Sequence, residues 1–258
     1  MYAPLLNVAC DIAKYCEPAP FRPFAGDTVT SFAVSQDGKP VLAENFNEHN
    51  WQALKDSYKV GDLLMPCCMT PAIPKTSPNS LQFFAHLSDE CTSSPESQWH
   101  LATKEALVRE LLSLGIEAQL EKTGRNIISA WKADVFFVID GRQIAIEVQH
   151  SYQHLRDYLR RQEKYVQSGV DSYWLLYTPR YMTLVQSLAK YRIKTEFGGK
   201  FPIGGFLPCI SQLPITYFDP SDEHGMVKGA RFQTSLRDWL ESLIRNEFRY
   251  DNGTWIIV

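Results

Sequence analysis

Two acidic residues stand inside runs that are otherwise apolar: Asp134 in AWKADVFFVI and Glu147 in QIAIEVQ. An unpaired charge buried in such company is costly, so something must compensate for it. Between them lies Asp140-Gly141, a residue pair favoured in two-residue hairpin turns. With that pair as the turn, Ile139 faces Arg142 and the same register sets Asp134 directly opposite Glu147. Opposed side chains on antiparallel strands have Cβ atoms ~4.5–5.5 Å apart, and like charges there repel. A hard divalent cation such as Mg²⁺ takes oxygen ligands and keeps several waters, so it would neutralise both carboxylates and leave places for phosphate and water. Phosphodiester hydrolysis needs that arrangement. The bland alternative puts both acids near the sheet ends, solvated or paired with Lys132 and Arg142.

The elements that must hold this pair follow from periodicity. Strand alternation puts Val135, Phe137, Ile139, Ile144, Ile146 and Val148 on one apolar face, and the carboxylates on the other beside Gln149. Upstream, Leu101, Leu107, Leu111, Leu112 and Leu114 recur at helical spacing over 94–115, with Gly115 as the stop. Glu96, His100 and Lys104, four apart, share another face of that helix. Ile116, Ala118 and Leu120 then alternate with Glu117, Gln119 and Glu121 as a strand. Downstream, a helix over 154–168 leads through Gly169 into SYWLLY at 172–177, a buried strand. The predicted order over 94–177 is helix, three strands, helix, strand, the last two strands parallel across a crossover. Helices near 181–191 and 234–248 complete the expectation.

Composition bounds the class. With 45% hydrophobic and 21% charged residues in 258, the chain is a globular protein and not a disordered one. A net charge of −3 gives no global attraction for a polyanion, so nucleic-acid binding must use local basic patches. Residues 180–200 offer one: Arg180, Lys190, Arg192, Lys194 and Lys200 against Glu196, interleaved with Tyr181, Tyr191 and Phe197. A solvated basic surface is the plainer reading of the same residues. No apolar run approaches the ~20 residues of a membrane span, and the start of the chain lacks a signal-peptide pattern, so a cytoplasmic protein is expected. The six cysteines show no disulfide framework. Near the start, FAVSQDGKPV at 32–41 predicts a hairpin about Asp37-Gly38. Residues 66–95, rich in Pro, Ser, Thr and Asn, predict a connecting region.

Several ordered pieces together resemble the competence protein CoiA-like family, whose nuclease-like domain belongs to the PD-(D/E)XK group. They are FFAH at 83–86, Glu96 with HLATK at 100–104, KADV at 132–135, IEVQHS at 146–151, Arg161 with Tyr165, and YWLLY at 173–177. The resemblance implies a restriction-endonuclease-like α/β (α+β) core. Asp134 and Glu147 would hold Mg²⁺ or Mn²⁺, and Gln149 would stand in the usual place of a lysine. A glutamine amide orients water or phosphate but carries no charge, so transition-state charge must be met elsewhere. Lys104 is the candidate, with Glu96 and His100 as partners over the metal. Equally, His100 is read as a histidine fixing the helix to the sheet, and Glu96 as a first-turn acid. The family position Arg161, with Tyr165 one turn on, implies phosphate binding or bracing of the carboxylates.

The N-terminal module of that family often carries Cys-Pro-x-Cys followed by His-Phe-x-His, which resembles a small zinc site. Here Met65 replaces the first cysteine and Phe83 the first histidine, leaving Cys67, Cys68, His86 and Cys91. Adjacent cysteines rarely share one tetrahedral zinc, and the degraded motif argues against the metal. The alternative is a β-rich module in which His86 and Cys68 are packed core residues. The expected organisation is a β-containing module over 1–92, a nuclease-like core over 93–180 and a partly helical extension over 181–258.

Two functions from different classes remain. The first is a metal-dependent nuclease acting on DNA, in DNA uptake and recombination or in antiphage defence. The second is a catalytically silent nucleic-acid-binding or scaffold protein of a DNA-processing or defence complex. The intact Asp134 and Glu147 favour the first.

Overall fold

The computed structural model describes residues 30–87, 98–126, 129–222 and 225–258. In chain order the elements are β1 (Phe32–Ser35), β2 (Pro40–Leu42), α1 (Glu48–Ser57), β3 (Leu63–Leu64), β4 (Ala72–Thr76), β5 (Gln82–His86), α2 (Gln98–Ser113), β6 (Gln119–Arg125), β7 (Ala130–Ile139) and β8 (Arg142–Gln149). They continue as α3 (Leu155–Gln167), β9 (Val170–Leu176), α4 (Thr178–Thr195), β10 (Ile215–Phe218), β11 (Met226–Lys228), β12 (Gln233–Ser235), α5 (Leu236–Ile244), β13 (Phe248–Asp251) and β14 (Thr254–Ile257).

Seven strands form the central sheet, in the order β12-β11-β10-β9-β8-β7-β6. β8 and β10 run parallel to β9, and the other neighbours are antiparallel. A parallel neighbour needs a long crossover, which α3 supplies between β8 and β9 and α4 between β9 and β10. Alternation along β9 divides the two faces. Tyr173 and Leu175 join Leu107, Leu111, Trp239 and Leu240 of α2 and α5 on one side. Trp174 and Leu176 join Tyr158, Tyr181, Leu184 and Leu188 of α3 and α4 on the other.

Local chemistry explains the element ends. Asp140 and Gly141 both take positive φ (49° and 79°), as the tight hairpin turn demands. Gly115, at φ 75°, ends α2, and the Ile116 N–H reaches back to the Leu111 carbonyl. Ser235 caps α5 by accepting from the Asp238 N–H at 3.0 Å.

The helix, three strands, helix, strand order is present as α2-β6-β7-β8-α3-β9. Elsewhere the expectations need changing. Residues 66–95, read as a connector, contain the β4–β5 hairpin, whose alternation Pro74 and Lys75 obscure. The segment beyond 180 holds α4 and α5 but also gives β10, β11 and β12 to the central sheet. Strands of three or four residues are too short for periodicity to reveal.

The hairpin β1–β2 turns at Gly38, whose carbonyl accepts from the Leu120 N–H of β6 at 2.9 Å. Phe32, Val34 and Leu42 enter the same core as α2 and α5. A polar seam runs alongside: Ser31 donates to Glu105, and Arg109 pairs with both Glu105 and Glu44.

One close approach has a measurable consequence. Trp131 of β7 lies across Gly124 of β6, so a Cβ built on Gly124 would sit 2.1 Å from the indole. Trp131 is held by its Nε1–H donating to Ser168 Oγ at 2.9 Å and by ring contacts with Phe136 and Tyr165. Gly124→Ala is therefore expected to destabilise the fold by about 2–3 kcal/mol through overpacking. A parent-like thermal midpoint would show that the indole leaves its seat at no cost.

Candidate metal centre

The β7–β8 ladder runs from Ile139↔Arg142 to Val135↔Ile146, the register that places Asp134 opposite Glu147. There the paired ladder stops. Ala133 packs with Phe136 on the α3 side while Val135 packs on the α2 side, so β7 turns its alternation over at Asp134. The β6–β7 register has a matching gap between Leu120↔Val135 and Lys122↔Ala133, where Glu121 adopts a positive φ of 53°. Such ladder irregularities re-aim side chains. Here the Asp134 carboxylate turns inward, and its Oδ2 accepts from the Val148 N–H at 2.8 Å, a backbone donor on β8. The carboxylate face is not an open polar side, as alternation alone suggests. It is covered by α3, and Glu147 is 1% exposed.

Each carboxylate has its own surroundings. From α2, His100 Nε2 stands 3.7 Å from Asp134 Oδ1. Burial alone would raise the Asp134 pKa, but the His100 hydrogen bond and charge, the Lys104 charge and the Val148 N–H together hold it well below the usual carboxylate range. From α3, the Tyr165 hydroxyl lies 2.5 Å from Glu147 Oε1 and Arg161 pairs with Oε2. Burial, and next the Asp134 charge, push Glu147 up to about 8 against the pull of Arg161 and Tyr165. Burial and the Asp134 charge thus favour the protonated form of Glu147 in the metal-free pair.

The donor set fits a hard divalent cation. Two carboxylates, Glu147 buried and Asp134 partly buried, are close enough to hydrogen-bond each other and sit where a divalent charge would cancel their repulsion. The metal would replace the Glu147 proton.

Arg161 links the other parts. It donates to Gln149 Oε1 at 3.2 Å and Gln153 Oε1 at 3.4 Å, and its guanidinium lies 4.8 Å over the Trp174 ring. Gln149 spends its amide N–H groups on Ser151 Oγ and carbonyl, at 2.8 and 2.9 Å. In this arrangement Gln149 positions Arg161. Of the two carboxylates, Arg161 pairs with Glu147.

Lys104 departs from expectation. It lies fully buried, with its Nζ 2.7 Å from Glu121 Oε1 and 3.4 Å from the Pro66 carbonyl. Its charge reaches Asp134 through space, and its full burial keeps it from solvent. Lys132 completes this pairing, its Nζ 2.5 Å from Glu121 Oε2. Glu121, Asp134 and Glu147 thus lie on three successive strands. Glu121 had only the look of a solvent-facing strand acid, and no sequence signal set it apart. Glu96 and Cys91 fall outside the described residues. Cys67, Cys68 and His86 converge in the N-terminal module.

Glu147 opens onto a groove of about 450 Å³ lined by Trp131, Lys132, Arg161, Lys164 and Tyr165. Nearby, Trp99, His150 and Tyr177 form an aromatic cluster, His150 and Tyr177 stacked with centroids 4.7 Å apart. Burial, then the Arg180 and His100 charges, lower the His150 pKa.

The expected nucleic-acid contacts separate into two kinds. Tyr165 is buried, its hydroxyl between Glu147 and the Lys132 carbonyl, so it cannot meet a base. Arg180 donates to the His150 carbonyl at 3.0 Å. Arg192 pairs with Glu196, donates to the Leu207 carbonyl and lies 4.9 Å over Phe206, so it fastens the loop after α4. Lys190 and Lys194, one turn apart on α4, are exposed.

No helix among the described residues is long and apolar enough to cross a membrane. Among curated proteins, none matches the chain. A solved structure of a protein of unknown function, AF1548, is 12% identical, covering 60% of this chain and 79% of its own, with a TM-score of 0.28. Residues 96–198, which contain the Asp134–Glu147 carboxylate pair on a mixed α/β, PD-(D/E)XK-like core, match the family described as competence protein CoiA, nuclease-like domain.

Proposed function

We propose that the chain is a divalent-metal-dependent nuclease that hydrolyses DNA phosphodiester bonds with Mg²⁺ or Mn²⁺ at Asp134 and Glu147. The observation that carries this reading is the Asp134–Glu147 carboxylate pair, of which Glu147 lines a groove shared with Lys132, Arg161 and Lys164. A bound cation would supply Lewis acidity and a water of lowered pKa. The protein's own residues do the rest. Asp134 and Glu147 would hold the cation, and His100 and Lys104 keep Asp134 ionised. Lys132 and Lys164 attract the phosphates, and Gln149 keeps Arg161 against Glu147. DNA uptake, recombination and antiphage defence, with partner proteins of those processes, are settings in which such an activity serves.

The purified chain is to be tested on single- and double-stranded DNA with Mg²⁺, Mn²⁺ or EDTA. Metal-dependent cleavage, absent with EDTA, supports the proposal. DNA binding without metal-dependent cleavage favours the second reading, a silent nucleic-acid-binding protein. One observation supports that alternative: both Glu147 oxygens are already engaged, by Tyr165 and Arg161.

For substrate binding, the useful pair is Lys190 and Lys194, with Arg192 left in its structural place. Replacing both lysines by glutamine is expected to weaken DNA binding and flatten its salt dependence, with log K against log salt losing about 1.4–1.8 in slope. An unchanged slope removes α4 from the interface.

A further inference from the structure

The turn 65–70 is closed by the Met65 N–H on the Thr70 carbonyl and the Met69 N–H on the Met65 carbonyl, both at 2.8 Å. Met69 takes a positive φ of 57° to make it. In an extended strand, consecutive side chains point to opposite sides, but this turn brings Cys67 Sγ and Cys68 Sγ to 3.6 Å of each other. His86, at the end of β5, brings Nε2 to 3.2 Å from each sulfur. Thr70 Oγ1 also lies 2.9 Å from Cys68 Sγ.

Hydrogen bonding accounts poorly for this triangle, since one ring nitrogen has a single lone pair or a single proton to share between two sulfurs. A vicinal disulfide needs the sulfurs at ~2.05 Å, far closer than they lie. A tetrahedral ion bonded to sulfur at ~2.3 Å and nitrogen at ~2.0–2.1 Å sets neighbouring ligand atoms ~3.6–3.8 Å apart. The three observed separations fall just inside that spacing. Thiolates and an imidazole select a soft or borderline cation, unlike the carboxylates of the nuclease centre.

We propose that Cys67, Cys68 and His86 bind one Zn²⁺, with Cys67 as a ligand in place of those lost where Met65 and Phe83 now stand. The ion fastens the 65–70 turn to the β4–β5 hairpin. Binding displaces the thiol protons, so two protons leave as two Zn–S bonds form. Because Pro66, whose carbonyl faces Lys104 Nζ, belongs to the same turn, the site also fixes one wall behind the carboxylate pair. The site does not depend on nuclease activity.

The test uses the full chain, purified without chelator. Elemental analysis of the parent is expected to give one zinc per chain, and Co²⁺ substitution to give tetrahedral d–d absorption with thiolate-to-cobalt charge transfer, removed by added Zn²⁺. Cys67→Ser, Cys68→Ser and His86→Ala should each lose the zinc, while Asp134→Asn keeps it. A parent with no zinc and no thiolate–cobalt absorption overturns the site, and this readout does not require the variants to fold. Cys67→Ser with undiminished zinc and charge transfer overturns the assignment of Cys67. A chelator-induced fall in the melting temperature of the parent, absent in Cys67→Ser, supports the fastening role. An equal fall in both overturns it.

Discussion

Asp134→Asn is expected to abolish metal-dependent cleavage, by on the order of 10²–10³ or more, while leaving the fold intact. The carboxylate has two tasks, and this substitution separates them. Its Oδ2 accepts from the Val148 N–H where the ladder stops, a task that an amide oxygen can take over. Its charge, needed for a cation, is lost. Because His100, Lys104 and the Val148 N–H stabilise the ionised carboxylate, loss of its charge should leave the asparagine protein folded but melting somewhat below the parent without metal. Asp134→Ala removes both functions. It leaves a buried backbone donor unmet, at a cost of about 1–3 kcal/mol. Cleavage rates and melting curves on the two variants, side by side, decide the matter. Parent-like cleavage by either one would remove Asp134 from the metal centre.

Mg²⁺ affinity is expected to rise about tenfold per pH unit up to pH 7 and roughly fiftyfold between pH 6 and 8, then level off. The sign follows from Glu147. Burial and the Asp134 charge push its pKa up to about 8 from an ordinary 4.5, so the metal-free folded protein holds a proton that the metal must displace. Calorimetry in buffers of different ionisation enthalpy should report close to one proton released per Mg²⁺ at pH 6.5 and few above pH 8.5. Stability obeys the same linkage. Between 4.5 and about 8 the folded state binds a proton that the unfolded chain has lost, so metal-free stability falls as pH rises through that window. Saturating metal removes this contribution to the slope. Affinity flat across pH 6–8 would mean that Glu147 is ionised before the metal arrives.

What the sequence disclosed, it disclosed through short-range rules. The Asp140-Gly141 turn determines the β7–β8 register, and with it the Asp134–Glu147 juxtaposition, because a two-residue turn leaves no freedom in pairing. Gly115 marks the end of α2 for an equally local reason. The reversal of alternation at Asp134 is invisible in the same residues, since Ala133 and Val135 are both apolar and suit either face. Glu121 meets Lys104 and Lys132 from a position of positive φ, which no pattern of residue types announces. Lys104 and Arg192 mislead for a shared reason: a cation in sequence looks like surface, and only the fold reveals Glu121 beside one and Glu196 with Phe206 around the other. The three-residue strands β11 and β12 lie below the length at which any period can be read.

The Gly38 carbonyl on the Leu120 N–H means that β6, one edge of the central sheet, does not lie wholly in open solvent. A bare sheet edge is a template for a neighbouring chain, and proteins that keep one guard it with charge, proline or a covering loop. Here the guard comes from the β1–β2 hairpin, which also brings Phe32, Val34 and Leu42 into the core. A fragment cut at residue 93 would retain every carboxylate of the centre yet expose that edge and the apolar seat beside it. Such a fragment should self-associate, and size-exclusion chromatography would show it as oligomer or aggregate where the full chain is not. The hairpin is thus a built-in edge guard, tied to the core by the same residues that form it.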